Sequence, residues 1–387
     1  MLLSNLNIIG YESAMNINVE GGMIKHISPE EKLASGSFDS LQLYFEDAMA
    51  FPGLINSHDH LDFNLFPRLG NRIYDSYIDW GADIQKQNKD IIDRITRIPK
   101  QLRVQCGLYK NLLNGITTVV HHGEYLNIEH PIINVYQDCH SIHSVAREKQ
   151  WKIKLNNPFA KHQPFVIHVG EGTDKKSYQE INELIRWNLL KKQLIGIHGV
   201  SMDSRQANAF EALIWCPDSN YFLLNSTAAI DELKNHTTIL FGTDSTVSAS
   251  WNLWDQLRLA RGTKMLTDQE LINALTSAPA ITWKLHKKGS LRKDKAADIV
   301  IARNKKGDSL TNSFFQLNPE DILLVIKSGD IILYDQSLEA QMNEHVVLDG
   351  FSKIKIRDCI KFVKGDLPAL VTQIIKFAPH AEFPFSI

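Results

Sequence analysis

Between residues 51 and 284, short apolar or β-branched runs alternate with longer amphipathic stretches, and this rhythm limits the fold more than any other feature of the 387-residue chain. The runs fall at residues 116–120, 151–155, 165–167, 194–197, 213–215 and 239–241. Helical patterns separate them at residues 91–113, 177–190, 204–211 and 251–260. Strands alternating with helices predict a parallel sheet. About eight such units in roughly 230 residues fit a (β/α)8 barrel of the TIM type better than an open sheet. No Gly-x-Gly-x-x-Gly follows the first strand, which removes support for dinucleotide binding.

Both flanks read as β-rich. Before the barrel, short strands are expected at residues 6–9, 17–19, 24–27 and 41–45, with a Glu20-Gly-Gly-Met23 turn. After it, residues 289–302 read as a turn and a buried strand, and residues 325–334 as a hairpin around Ser328-Gly-Asp330. The expected division is residues 1–50 and 285–387 in one β module, interrupted by a barrel at 51–284. Near the C-terminus, Leu367, Leu370, Val371, Ile374 and Ile375 have helical spacing behind an Asp366 N-cap, with Pro368 in the first turn.

Composition narrows the function classes. Hydrophobic residues make up 43% and charged residues 22%, with a net charge of -2, so neither nucleic acid nor a membrane is expected as partner. Cys106, Cys139, Cys216 and Cys359 are scattered, without a CxxC pair, which speaks against a disulfide framework or thiolate zinc site. The N-terminal stretch lacks a basic segment ahead of its apolar residues, so a cytoplasmic protein is expected.

The chemistry-bearing residues sit where strands are expected to end. Phe51-Pro-Gly-Leu-Ile-Asn-Ser-His-Asp-His60 delivers His58 and His60 to one side of an extended segment, with Asp59 on the other. Later runs end at His168, followed by Val-Gly-Glu171, then at His198-Gly and at Gly242-Thr-Asp244-Ser. In a barrel the C-terminal strand ends converge on one face, where such groups can meet around a divalent metal.

These motifs, with Gly115-Ile-Thr-Thr-Val119, Cys216-Pro-Asp-Ser-Asn220, Gly289-Ser-Leu and Ala297-Asp-Ile-Val300, resemble the amidohydrolase superfamily. The likeness is to the branch of guanine, cytosine and S-adenosylhomocysteine deaminases and triazine hydrolases. It covers nearly the whole chain apart from the C-terminal tail, and it implies a small β-sandwich built from both chain ends beside the barrel. Carried over residue by residue, it implies that His58, His60, His168 and Asp244 hold one Zn2+ or Fe2+ that activates water. Asp244 would take a proton, His198 would orient the water, and Glu171 would shuttle a proton to the substrate. The reaction so implied is hydrolysis of a carbon–nitrogen bond in a small-molecule substrate, foremost the deamination of a nitrogen heterocycle. The alternatives are hydrolysis of a cyclic amide or imidazolone, an exocyclic amide or a carbon–halogen bond, and a barrel without catalysis. Relatives of this kind form homodimers or larger homo-oligomers.

Further residues are less determined. His121, His143 and Trp80 are candidate substrate contacts, with structural roles as the alternative, and His122 and His140 have no assigned role. Phe63, Phe66, Arg68 and Tyr74 could line a pocket for a planar ring. Lys152 and Lys154 keep open a lysine ligand for a second metal at the fourth strand. Tyr221-Phe-Leu-Leu224 stands where relatives carry small residues or glycine, so their substrates do not transfer directly.

Overall fold

The chain opens with β1 (Leu2–Ile8), β2 (Met15–Glu20), β3 (Met23–Pro29) and β4 (Gln42–Pro52). In the computed structural model, which describes residues 1–29, 41–160, 162–305, 307–342 and 350–387, β1 pairs antiparallel with β2 and parallel with β4. The alternation of buried and exposed residues along β2 and β4 is the two-residue period of half-buried strands.

Eight strands then run parallel in two arcs. The first contains β5 (Leu54–Asp59), β6 (Ile116–His121) and β7 (Asn134–Tyr136). The second runs β8 (His140–Ser144), β9 (Phe165–Val169), β10 (Leu194–His198), β11 (Ala212–Trp215) and β12 (Thr238–Phe241). Residues along β5, β6, β9, β10 and β11 are buried on both faces, as parallel strands covered by helices must be. The end of β12 lies against β5, where the Asp244 amide donates to the His58 carbonyl at 3.1 Å.

The C-terminal strands are β13 (Ile299–Arg303), β14 (Ile322–Lys327), β15 (Asp330–Asp335), β16 (Phe351–Ile356) and β17 (Cys359–Lys364). Residues Ser328 and Gly329 turn the hairpin between β14 and β15, at the expected place. β13 pairs antiparallel with β4, so strands from both chain ends are hydrogen-bonded in a single nine-stranded mixed sheet. Apolar side chains from both halves of this sheet, among them Ile24, Leu43, Ile299 and Ile331, belong to one core cluster. The C-terminal helix Leu367–Phe377 is capped by Asp366, whose carboxylate accepts from the Ala369 amide. Among the described residues no helix is long and apolar enough to cross a membrane.

Two sequence expectations change. Residues 151–155, Trp-Lys-Ile-Lys-Leu, form a helix rather than the fourth strand. Trp151 and Leu155 are the buried pair, four residues apart, while Ile153 is 72% exposed. That is a helical period read as an alternating one. The strand beside β9 is instead β8, whose His-Ser-Ile-His-Ser carries one apolar residue and gives almost no strand signal. The helical pattern at 91–113 is two helices, because Pro99 cannot continue the first. In chain order the first helices are α1 (Tyr77–Gln87), α2 (Lys89–Thr96), α3 (Lys100–Leu113), α4 (Trp151–Leu155) and α5 (Lys175–Trp187).

α3 is what backs the His58–His60 segment. Gly107 on this helix meets the backbone of Leu61 so closely that a Cβ would collide with its carbonyl. Gly107→Ala is therefore expected to destabilise the protein by about 1–3 kcal/mol through overpacking, read as a lowered midpoint of urea denaturation. A midpoint equal to wild type would show that the helix can withdraw without cost.

Candidate metal and active site

The ends of β5, β9 and β10 and the residues just after β12 bring five expected side chains together. Ligand atoms of His58, His60 and His168 lie within 4.8 Å of one another, as do those of His58, His198 and Asp244. The His58 ring centre is 4.9 Å from His60, 5.1 Å from His168 and 5.9 Å from His198. His58, His168 and His198 are all at most 3% exposed. Both His198 and Asp244 adopt positive φ, at 72° and 56°. Left-handed backbone at a non-glycine residue costs on the order of 1 kcal/mol, and here it turns each side chain inward at a strand end.

The hydrogen-bond partners fix how each ring faces the cluster. The His168 Nδ1 lies 2.8 Å from the His143 carbonyl, which can only accept, so Nδ1 carries the proton and Nε2 presents its lone pair. His198 Nδ1 lies 2.8 Å from Asn220 Oδ1, leaving Nε2 toward Glu171 at 3.5 Å. Asn220 is held in that orientation by donating to Thr227 Oγ1. Both ring nitrogens of His58 are buried without a hydrogen-bond partner among the described residues. An imidazole buried in this state is costly unless a ligand occupies it. These donors fit a divalent cation: neutral imidazole nitrogens and one carboxylate, with the commonest zinc ligand types.

Electrostatics points the same way. Burial, outweighing the nearby Asp244 carboxylate, pushes His58 down to about 4. Burial and neighbouring imidazoles hold His168 well below its ordinary value. The rings are thus neutral, as metal ligands must be. Burial opposes ionisation of Asp244, but the His58 contact and the surrounding imidazoles hold its carboxylate well below the usual range. Ser245 N and Ser248 Oγ donate to it at 2.7 and 3.1 Å. Glu171 goes the other way. Burial first, then the charges of Asp244 and Glu180, push its carboxyl well above the ordinary value, against a smaller opposing effect of the Arg147 cation.

The cluster forms one end of a cavity of about 270 Å³ whose remaining wall is largely apolar and aromatic, with Phe66, Leu69, Tyr77, Trp80 and Leu223. Of the expected substrate contacts, Trp80 and His143 line this cavity. Trp80 is anchored by its indole N–H to the Leu69 carbonyl at 2.6 Å, and the His143 ring stacks on Tyr77. His121 does not reach it: its ring contacts the Leu61 amide and the Glu124 carbonyl. The neighbouring His122 packs at the cluster instead, its ring 4.5 Å from His168 and its Nδ1 2.9 Å from Ser141 Oγ. Phe63 and Phe66 line the cavity, whereas Arg68 pairs with Asp218. Lys154 pairs with Glu148 at 2.6 Å and Lys152 lies over Trp187, both on α4 and away from the cluster.

Beneath the site lies a polar network that the sequence did not announce. Asp59, fully buried between the two motif histidines, accepts from Asn111 at 2.8 Å and Asn64 at 2.9 Å, and pairs with Lys110 at 3.3 Å. Lys110 Nζ also donates to the Asp244 carbonyl at 2.6 Å, tying the two ligand-bearing segments together. The available signal was the polar Lys110-Asn111 pair inside the otherwise apolar second half of α3.

Residues 160–332 match the amidohydrolase family. The chain is 22% identical over 392 residues to a 5-methylthioadenosine/S-adenosylhomocysteine deaminase from Caldicellulosiruptor saccharolyticus, covering 84% of this chain and 89% of the relative. The structure of atrazine chlorohydrolase from Arthrobacter aurescens complexed with zinc superposes with a TM-score of 0.71 at 16% identity, covering 97% of this chain and 99% of that one. A zinc-bound adenosine deaminase from Xanthomonas campestris gives a TM-score of 0.66 at 14% identity, covering 98% of both chains. The fold is therefore that of the metal-bound deaminases and chlorohydrolase. The segment that matches the amidohydrolase family includes His168, Glu171, His198 and Asp244.

Two outcomes follow from this geometry. Lys110→Met is expected to cost about 3–5 kcal/mol by stranding Asp59, and adding Asp59→Asn should recover part of that loss in a double-mutant cycle. Strictly additive losses would contradict a coupled pair. Glu180, which accepts from the Gly170 amide, is pushed up to about 7, mainly by burial. The native state then holds a proton that the unfolded chain has released, so stability falls as pH rises from about 4.5 to about 7, by about 3 kcal/mol. Glu180→Gln should flatten that part of the stability–pH curve, and an unchanged slope would exclude the assignment.

Proposed function

We propose that the protein is a metal-dependent hydrolase that deaminates a nitrogen heterocycle, with His58, His60, His168 and Asp244 holding one divalent cation, Zn2+ before Fe2+. The observation that carries this is the joint placement of buried imidazoles, Asp244 shifted towards its ionised form and Glu171 shifted towards its protonated form at the end of an apolar, aromatic-walled cavity. The two parallel arcs are read here as one (β/α)8 barrel over residues 51–284. Residues 1–50 and 285–387 form the flanking β module.

When bound, the cation supplies Lewis acidity that lowers the pKa of a coordinated water from about 15.7 towards about 7. The chain's own groups account for the rest. Leu69, Tyr77, Trp80 and Leu223 hold the heterocycle and exclude bulk water, which strengthens every charge interaction in the cavity. Glu171 donates its proton to the ring nitrogen next to the amine-bearing carbon as water oxygen adds to that carbon. Asp244 accepts a proton from the water, and His198, fixed by Asn220, hydrogen-bonds the oxygen as charge develops on it. The proton held by Asp244 passes to the amine and the hydroxyl proton goes to Glu171, so the carbon–nitrogen bond breaks, ammonia leaves, and the oxo-heterocycle remains with both carboxyls restored.

Ammonia release over adenine nucleosides, guanine, cytosine, pterins and aminotriazines by the zinc-reconstituted protein tests the reaction. Turnover of at least one is expected. Silence on all of them, or halide release from a chlorotriazine without ammonia, would overturn deamination. Glu171→Gln should keep its metal and lose at least about 100-fold in kcat, whereas Asp244→Ala should lose both. Full activity in Glu171→Gln would end the proton-transfer role.

A further inference from the structure

Arg147 supplies the one arginine in the cavity wall, and its setting is unusual. It follows β8, four residues beyond His143, and its guanidinium lies 5.7 Å from the Tyr77 ring centre. It also lies against Gly81, in the middle of α1, where a Cβ would collide with Nη2. Glycine inside a helix costs about 1 kcal/mol relative to alanine. At this position its missing side chain is what leaves room for the guanidinium. Tyr77 is itself fixed by donating from its hydroxyl to Ser144 Oγ at 2.5 Å.

Apart from the Tyr77 ring, the guanidinium of this exposed residue has no partner among the described residues. Among the described residues Arg147 forms no ion pair and its side chain makes no hydrogen bond; only its backbone amide is engaged, donating to Ser144 Oγ. The acids that share the cavity are occupied elsewhere, Glu171 beside His198 and Asp244 with Ser245 and Ser248. Around Arg147 the wall is otherwise apolar, with Trp80 and Ile84 from α1 and Ile92 from α2. A ligand that fills this cavity as far as Arg147 displaces part of the water around its exposed guanidinium. A neutral ligand leaves that charge uncompensated, whereas a carboxylate or phosphate meets the planar fork with two parallel hydrogen bonds.

We propose that Arg147 is a specificity residue that binds an anionic group, carboxylate or phosphate, carried by the substrate away from the reacting carbon. Which end of the ligand reacts rests on the deaminase function proposed above; recognition of the anion does not.

The test uses the full-length, zinc-reconstituted protein and matched neutral and anionic probes. These are 5′-methylthioadenosine against S-adenosylhomocysteine, adenosine against adenosine 5′-monophosphate, and pterin against pterin-6-carboxylate. Calorimetric Kd values are measured for wild type, Arg147→Gln and Gly81→Ala, with ammonia release followed in parallel. Wild type is expected to bind the anionic member of at least one pair about tenfold or more tightly than its neutral partner. The carboxylate and phosphate pairs decide which anion is preferred. Arg147→Gln should bring that ratio close to one while leaving the neutral Kd and the metal content unchanged, and Gly81→Ala, which displaces the guanidinium, should reduce it. Equal affinities within every pair, no binding of any anionic probe, or a preference that survives Arg147→Gln would overturn the proposal. An Arg147-dependent preference without ammonia from any probe would refute deamination and keep the anion site. Ammonia released equally from both members of every pair, with equal Kd values, would do the reverse.

Discussion

The buried pair of Asp59 and Lys110 is the interaction on which the rest of this site depends. Asp59 stands between the two motif histidines, so its carboxylate fixes the backbone that aims His58 and His60. Lys110 reaches past it to the Asp244 carbonyl and so spans the junction between β5 and the end of β12. Those two segments come from positions nearly 190 residues apart in the chain, shown also by Asn56 bonding to Thr243. A buried ion pair is seldom a large source of stability, since desolvation offsets much of its attraction. Its effect here is on position: it determines where the groups above it meet.

Above that floor the site holds a concentration of polar groups that a protein interior accommodates only with a compensating ligand. Four imidazoles, those of His58, His122, His168 and His198, are almost completely buried. Two of the rings are oriented by an acceptor at Nδ1, which leaves Nε2 for a ligand. The His58 nitrogens, which have no hydrogen-bond partner among the described residues although Nε2 lies 3.6 Å from Asp244 Oδ1, fit a site for a cation best. The two carboxyls are shifted in opposite directions, Asp244 down and Glu171 up, as the proposed division into a ligand and a proton donor requires.

Much of this was legible in the chain. The strand–helix alternation and the histidines at strand ends depend on burial and on the convergence of parallel strands, and both leave a periodic mark. The fourth strand was missed because His140–Ser144 carries little apolar signal, while Trp151–Leu155 mimics an alternating strand. His122 continues the face of Val120, which packs with Ile55, Val166 and Ile197, whereas His121 continues the opposite face of Val119. In the unbroken β-branched run Thr117–Val120 nothing marks which face is which. Asp59, Lys110 and Arg147 matter through contacts across the fold, with Asp244, Tyr77 and Gly81, that no local spacing encodes.

The proposed function requires a pocket that holds a cation at one end and a ring against aromatic walls at the other. Locating that cation decides the matter most directly. Anomalous diffraction at the zinc edge from crystals of the zinc-reconstituted protein should give one peak at the cluster, about 2.0–2.2 Å from nitrogens of His58, His60 and His168 and an oxygen of Asp244. A zinc peak bound by other residues, or no peak at these four in fully loaded protein, would contradict the account.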